Sequence, residues 1–453
     1  MATAPRLDVP EYSRAFVARR RQNWLVLGLT YAAMYMARYN FPLANKALSD
    51  AYGWDKAQVG LIITIATLVY GLSAIFNGPL ADRIGGRKAM LIGAFGAFVF
   101  NLMFGLGAYL GVLGRGPLLL GYLASMWTLN MYFQSYSALS LIKVNSGWFH
   151  VGERGVFSAI FGSMIQSGRF LVFALLGLAA VAALPWQWKF FLPAGIVAVL
   201  FLATFATVRD TPMDAGLPEF DPEDATSGDT EKITFRYVAR KVFTNPITLT
   251  IAVAEFCTGL VRGGFEQWFP RYMQEVQHLP LTNVVFQKNA LAVVAAGVLG
   301  AFTAGFASDK LFGHRRPPVA FVGYVLQVVC LFVIWKYTML ELVIFAFMLN
   351  SFAISMVHSM LSGTASMDFG GKRAAATAAG MFDGMQYIGQ SCMGWGLGTL
   401  LDKHGWSAWG SSMLGFAALG GVLMIVLWNA RPQRHAVRRV VPKAAAAESV
   451  ASA

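Results

Sequence analysis

Tyr31-Ala-Ala-Met-Tyr35-Met-Ala-Arg38-Tyr39-Asn40-Phe41-Pro42 places an arginine about fifteen residues into an apolar run long enough to cross a bilayer. A charge at that depth costs roughly 2.5–3.5 kcal/mol on insertion scales, so it is usually retained for a ligand or a partner charge. Tyr31, Tyr35 and Arg38 recur at i, i+4 and i+7, which sets all three on one helical face. The reading of the chain turns on what that face holds.

The composition around it is that of a polytopic membrane protein. Of 453 residues, 56% are hydrophobic and 13% charged, and the mean hydropathy is +0.54; a soluble domain carries about 25% charged residues. The first apolar run is long, lacks a small-residue cleavage site and is followed by many others, which predicts a span and not a cleaved signal. Cys257, Cys330 and Cys392 fall far apart inside apolar segments, so neither a disulfide framework nor a metal spacing is expected. No Walker loop, His/Cys metal pattern or nucleophile elbow occurs, so catalysis, metals and cofactors are not expected either.

The net charge of +13 raises nucleic acid as a partner, but its placement argues against it. About 25 of the 36 Lys and Arg lie in the termini, the even-to-odd connections and the central linker, and roughly eight on the other side. Arg38, Arg169 and Arg262 lie within spans. This asymmetry predicts cytoplasmic termini and a bilayer, not nucleic acid, as the surroundings.

Apolar runs at about 24–43, 58–80, 89–111, 118–141, 156–178 and 189–208, then 247–269, 285–307, 318–336, 341–362, 375–400 and 408–428, predict twelve transmembrane helices of an all-α membrane protein. The expected organisation is a cytoplasmic N-terminal segment 1–23, a six-helix half 24–208 and a cytoplasmic linker 209–245 with a short amphipathic helix near 232–243. A second half 246–429 and a cytoplasmic tail 430–453 complete it. The halves repeat. Gly78-Pro-Leu-Ala-Asp82-Arg83-Ile-Gly85-Gly-Arg87-Lys88 ends the second span, and Gly305-Phe-Ala-Ser-Asp309-Lys310-Leu-Phe-Gly313-His-Arg315-Arg316 ends the eighth. Arg38 and Arg262 precede these loops by similar distances, so each half carries an arginine in its first helix. Arg154 and Arg373 correspond before spans five and eleven. Asp82, Arg83, Asp309, Arg154 and Arg373 are therefore the gating candidates, against the plainer reading of a surface turn with topogenic charge. Parallel duplicated halves with a site between them at the midplane are a transporter plan.

Two guanidinium groups facing each other across that midplane suit bidentate capture of phosphate or carboxylate. The competing reading is a buried ion pair, which for Arg262 has an obvious partner in Glu266 at i+4. Arg169 faces either the cavity, the outer interface or a carboxylate such as Asp383. Asp383 and His358 are candidates for coupling or substrate contact, with silent packing as the competing reading. Gln134 and Gln386 offer hydroxyl recognition or helix–helix hydrogen bonds.

The Gly-x3-Asp-Arg loop resembles the signature loop of the major facilitator superfamily. Within it the chain resembles the organophosphate:phosphate antiporters, the glycerol-3-phosphate and hexose-phosphate transporters. The matching stretches are Tyr31…Tyr35…Arg38-x-Asn40-Phe41, Tyr70-Gly71-x-Ser73, Phe133-Gln134, Arg209-Asp210-Thr211-Pro212…Gly216-Leu217-Pro218, Arg262-x-Gly264…Trp268-x-Pro270-x-Tyr272 and Lys372-Arg373-Ala374-Ala375 with Tyr387. The resemblance implies the twelve-helix major facilitator fold. It also implies phosphate binding at Arg38 and Arg262, with Tyr31, Tyr35, Tyr70 and Tyr387 lining the path. Departures are Tyr39, Ala74, Ile165 and Val294, where the family carries basic or acidic residues; Arg169 stands one turn beyond Ile165.

The function expected is exchange of a small organic anion, an organic phosphate ester, for inorganic phosphate by alternating access. A proton-coupled symporter of organic carboxylates such as sugar acids is the first rival, and a transporter-like phosphate-ester sensor the second. A monomer in the plasma (inner) membrane is expected.

Overall fold

The computed structural model describes residues 12–110, 116–150, 164, 167–176, 178, 184–220, 244, 246–312 and 315–429, with the backbone alone at 309 and 363–376. Arg154, the stretch near 232–243 and the tail from 430 lie outside the described residues, as do the side chains of Asp309 and Arg373.

The described elements are helices: α1 (Arg14–Tyr52), α2 (Lys56–Ile84), α3 (Gly86–Leu106), α4 (Pro117–Gln134) and α5 (Tyr136–Ser146). Then come α6 (Ser167–Leu176), α7 (Trp188–Thr207), α8 (Pro246–Glu275), α9 (Val284–Lys310), α10 (Pro317–Lys336) and α11 (Leu340–His358). A π-helical turn over Ser359–Thr364 leads into α12 (Ala365–Cys392), followed by α13 (Trp395–His404) and α14 (Ser407–Val426). Eight of these, α2, α3, α7 to α11 and α14, are long and apolar enough to cross a membrane. The other expected spans coincide with α1, α4 plus α5, α6 and α12. α1 and α12 are less apolar, because they carry buried Asn, Arg and Gln side chains.

Local sequence starts and stops these helices. Ser13 accepts from the Phe16 amide at the start of α1, and Gly53, at φ 69°, ends it in the left-handed region that suits glycine. Asp55 and Gln58 cap α2 reciprocally. At the terminal face, the Arg209-Asp210 phrase is strapped to the first helices. Asn23 exchanges two hydrogen bonds with the Arg209 backbone (2.7 and 3.1 Å), and Trp148 donates to the same carbonyl. Asp210 caps α3 through the Arg87 amide at 2.7 Å; burial pushes its carboxyl above the usual carboxylate range, against the pull of that bond.

Packing falls into two groups. α1 and α3 lie on α7 and α2 and α3 on α4; α8 lies on α12 and α14, and α10 on α11 and α14. The groups meet where α2 runs along α12 and α13, and where α1 crosses α8. The α2–α12 seam is backbone against backbone. A methyl group at Gly71 would sit 2.7 Å from the Gly384 carbonyl oxygen, one at Gly380 2.5 Å from that of Ala74, and one at Gly60 2.5 Å from that of Gly394. Small residues permit this approach.

Two expected spans are broken. The fourth is interrupted at Ser135, whose hydroxyl accepts from Asn77 at 2.8 Å. The eleventh breaks between Cys392 and Trp395, and a hydrocarbon setting requires the freed backbone groups to find partners. Thr64 of α2 supplies them: its hydroxyl donates to the Ser391 carbonyl at 2.8 Å and accepts from the Trp395 amide at 2.7 Å.

Within the second group α8 and α12 also touch through backbone. A methyl group at Gly259 would lie 1.8 Å from the Gln386 carbonyl oxygen. Gly259→Ala is expected to push α12 off α8 and to cost about 1–3 kcal/mol, as overpacking does. Its unfolding midpoint in detergent measures this; a midpoint equal to the parent's would refute so close an approach.

Candidate functional site

Arg38 sits mid-way along α1, 4% exposed, at the junction of the two groups. An asparagine chain fixes the turn before it: Asn40 donates to Asn101 and Asn101 to Asn130, each at 2.8 Å. Asn101 and Asn130 both donate to the Ala37 carbonyl, and Gln134 to that of Met34 at 2.9 Å. The guanidinium donates to the Tyr387 hydroxyl at 2.5 Å, to Gln134 Oε1 at 3.2 Å and to Ser137 Oγ at 3.2 Å. It lies 4.8 Å from the Tyr35 ring centre and 4.6 Å from that of Tyr70, at cation–π distance. The Tyr70 ring lies tilted on Tyr387 with centres 3.8 Å apart, and Tyr31 meets Tyr35 edge-on at 5.1 Å. Every one of these partners is uncharged. No carboxylate among the described residues comes within ion-pair distance of Arg38, and its buried Nε has no hydrogen-bond partner.

Arg262 is held differently. Its Nε donates to Glu266 Oε1 at 3.0 Å, one terminal nitrogen donates to Gln386 Oε1 at 2.8 Å and the other to the Tyr39 hydroxyl at 3.1 Å. Arg169 of α6 reaches the same Glu266 oxygen at 2.7 Å and lies 5.0 Å from the Tyr39 ring centre. Tyr39 donates to Glu266 Oε2. One carboxylate therefore serves two arginines, one from each group. Among the described residues the carboxylate that Arg169 meets is Glu266.

Gln386 extends this cluster: its amide nitrogen donates to Glu255 Oε2 at 2.8 Å and lies 2.9 Å from His358 Nδ1. Asp383, half-buried one turn before Tyr387, has no hydrogen bond or ion pair among the described residues. It lies within electrostatic range of Arg38, Arg262 and His358. The described residues hold no group of three or more His, Cys, Asp or Glu able to bind a metal.

Of the gating candidates, Asp82 pairs with Lys143 of α5 at 2.9 Å and accepts from Thr377 of α12 at 3.4 Å. Arg83 is exposed. The opposite face has its own network. Arg271 donates to Asn45 and Ser49 of α1 at 2.9 and 3.1 Å and to Glu275 at 2.6 Å. Lys56 lies 3.3 Å from Glu275 and 3.9 Å from Asp402.

The fold brings Arg38, its tyrosines and Gln134 together and adds to them Ser137, the asparagine chain and the bridging hydroxyl of Tyr39, none of which stands out in the sequence as a site residue. The spacing of Tyr39, four residues after Tyr35 and so on the same face of the helix, is the available signal. Ala74, where a lysine was expected, is 1% exposed in the α2–α12 seam, a place that admits no long side chain. Val294 is likewise buried; Ile165 lies outside the described residues.

A family model described as Major Facilitator Superfamily matches residues 27–392. A glycerol-3-phosphate transporter of Bacillus subtilis (strain 168) is 25% identical over 436 residues, covering 94% of this chain and 96% of that one. The membrane sensor protein UhpC of Escherichia coli (strain K12) is 27% identical over 449 residues, covering 92% and 94%. The crystal structure of a bacterial homolog to the human lysosomal transporter Spinster, inward-facing and unoccupied, superposes with a TM-score of 0.65 at 14% identity, over 92% of this chain and 96% of that one. At that identity the likeness is one of fold.

Proposed function

Because the chain belongs to the Major Facilitator Superfamily and is a multi-pass integral membrane protein, we propose that it exchanges an organic phosphate ester for inorganic phosphate by alternating access. The observation that carries this is Arg38, a buried cation whose partners are all neutral and whose Nε points at no acceptor. A buried charge left in that state is costly, and a phosphate oxyanion is the ligand that its planar fork fits. Tyr35, Tyr70 and Tyr387 frame it, Gln134 orients it, and Tyr31 closes the ring behind Tyr35. Arg262 of the second half and Arg169 of the first, sharing one carboxylate, leave a net positive charge at the junction opposite Arg38, so a dianion held by Arg38 and Arg262 draws the two halves together. The relatives named as a glycerol-3-phosphate transporter and a phosphoglycerate transporter support the substrate class.

In this reading the halves 24–208 and 246–429 rock about the site, joined by the linker 209–245. The Asp82–Lys143–Thr377 contact closes the face that carries the termini, with Arg83, Arg154, Asp309 and Arg373 as its further charges. The Arg271 network closes the other. Both termini are cytoplasmic, the membrane is the plasma (inner) membrane, the carrier works as a monomer, and no bond is made or broken. A ligand promotes the crossing only by as much as it binds the closed state better.

The test is counterflow of labelled phosphate into phosphate-loaded proteoliposomes. Uptake that needs internal phosphate is the expected result; absence of any counterflow sinks the proposal. Sensing without flux is the second reading, favoured by the likeness to UhpC, and ligand-dependent stabilisation with no counterflow would select it.

A further inference from the structure

The Arg38 site leaves one buried acid without a task. Glu255 of α8 is 0% exposed. Its Oε2 accepts from Gln386 at 2.8 Å, and its Oε1 has no hydrogen-bond partner. His358 of α11 places its Nδ1 3.9 Å from Oε2. His358 is 18% exposed where Glu255 is sealed, so the ring is the open member of the pair. Gln386 binds both, and its other end accepts from Arg262 at 2.8 Å.

We propose that Glu255 and His358 form a proton-binding site, linked to Arg262 through Gln386, that makes this carrier take up a proton together with its anion. The inference rests on the transporter reading and adds a second cargo to it. A carboxylate ion at Glu255 has one neutral hydrogen bond and no counter-ion in contact, a state that burial strongly disfavours. A proton on the unpartnered Oε1 removes that charge. His358, the more exposed member of the pair, receives the proton and passes it on, and no other bond changes.

The groups facing Glu255 set the sign of the coupling. On α8 they are Arg262 one side away and Glu266 beyond it. On α11 there is His358, and on α12 Asp383, a second acid within electrostatic range. On α10 there is Tyr324, whose hydroxyl is occupied by Thr258 and the Ala254 carbonyl. Arg262 is the cation in this set, and its positive potential is what would favour an ionised Glu255. An anion arriving beside Arg262 offsets that potential, so anion binding favours the proton. By reciprocity the proton favours the anion to the same degree. Anion and proton therefore load together.

Purified protein in proteoliposomes tests this with inorganic phosphate as the probe. At equal pH on both sides, the parent and Glu255→Gln are both expected to exchange labelled phosphate. With the outside made acidic, the parent should accumulate phosphate above its level at equal pH, and Glu255→Gln should lose that response. In detergent, phosphate affinity should gain roughly tenfold more between pH 8 and pH 6 in the parent than in Glu255→Gln, a comparison in which the titration of phosphate itself cancels. The parent's gradient response stands without the variant, should the variant fold poorly. Exchange that proceeds in the parent with no effect of the gradient overturns the proton site alone. So does a Glu255→Gln protein that responds as the parent does. Absence of exchange at any pH overturns the transporter reading instead, and the detergent binding comparison then decides the proton site by itself.

Discussion

Arg38→Ala is expected to abolish phosphate counterflow and to weaken phosphate binding by on the order of 10²–10⁴-fold. Hydrogen bonds to a charged group contribute about 1.5–3 kcal/mol each, and losing two of them at about 1.4 kcal/mol per decade gives that range. Arg38→Lys keeps the charge but loses the planar fork and the unpartnered Nε, so an intermediate loss is expected. The companion measurement separates binding from folding. Because Arg38 contacts no carboxylate among the described residues, its removal should leave the unfolding midpoint of the ligand-free protein unchanged or raised. An Arg38→Lys protein with parental counterflow, or an Arg38→Ala protein that binds phosphate normally, would sink the proposed site.

Glu266→Gln is expected to have the opposite profile: a large loss of stability that phosphate partly restores. Glu266 is the shared counter-charge of Arg169 and Arg262. Removing one member of a buried ion cluster costs about 3–5 kcal/mol, because the remaining charges stay buried and uncompensated. The unfolding midpoint in detergent should fall accordingly. Added phosphate should then raise it more than in the parent, since an external anion can stand where the carboxylate stood. A midpoint within error of the parent's would show that the two arginines do not depend on Glu266.

The fold class was legible early because it rests on signals that are local in the chain. Apolar runs and basic loops can each be read within a few residues. Arg38 was legible for the same reason, as a charge where none is expected. Its uncompensated state was not, since that required knowing which carboxylates stay away. The i+4 spacing offered Glu266 to Arg262, but nothing in the spacing offered it to Arg169 as well. That contact exists only once α6 and α8 approach across the junction. The break before Trp395 was hidden because glycine and tryptophan both occur in spans, and the threonine that makes the break tolerable lies on a different helix.

Gln386 and Tyr387 are neighbours in sequence, yet one grips Arg262 and the other Arg38. α12 is thus a lever with both handles at its middle, and the glycine contacts with α2 are its fulcrum. Helices touching through backbone can roll on each other but cannot part without opening a void. A ligand that redraws the partners of either arginine therefore applies a torque to α12. Towards one end that torque reaches the Thr377–Asp82 contact; at the other, through α13, it reaches Asp402 and Lys56. One event at the centre tilts both doors, in opposite senses, through a single helix.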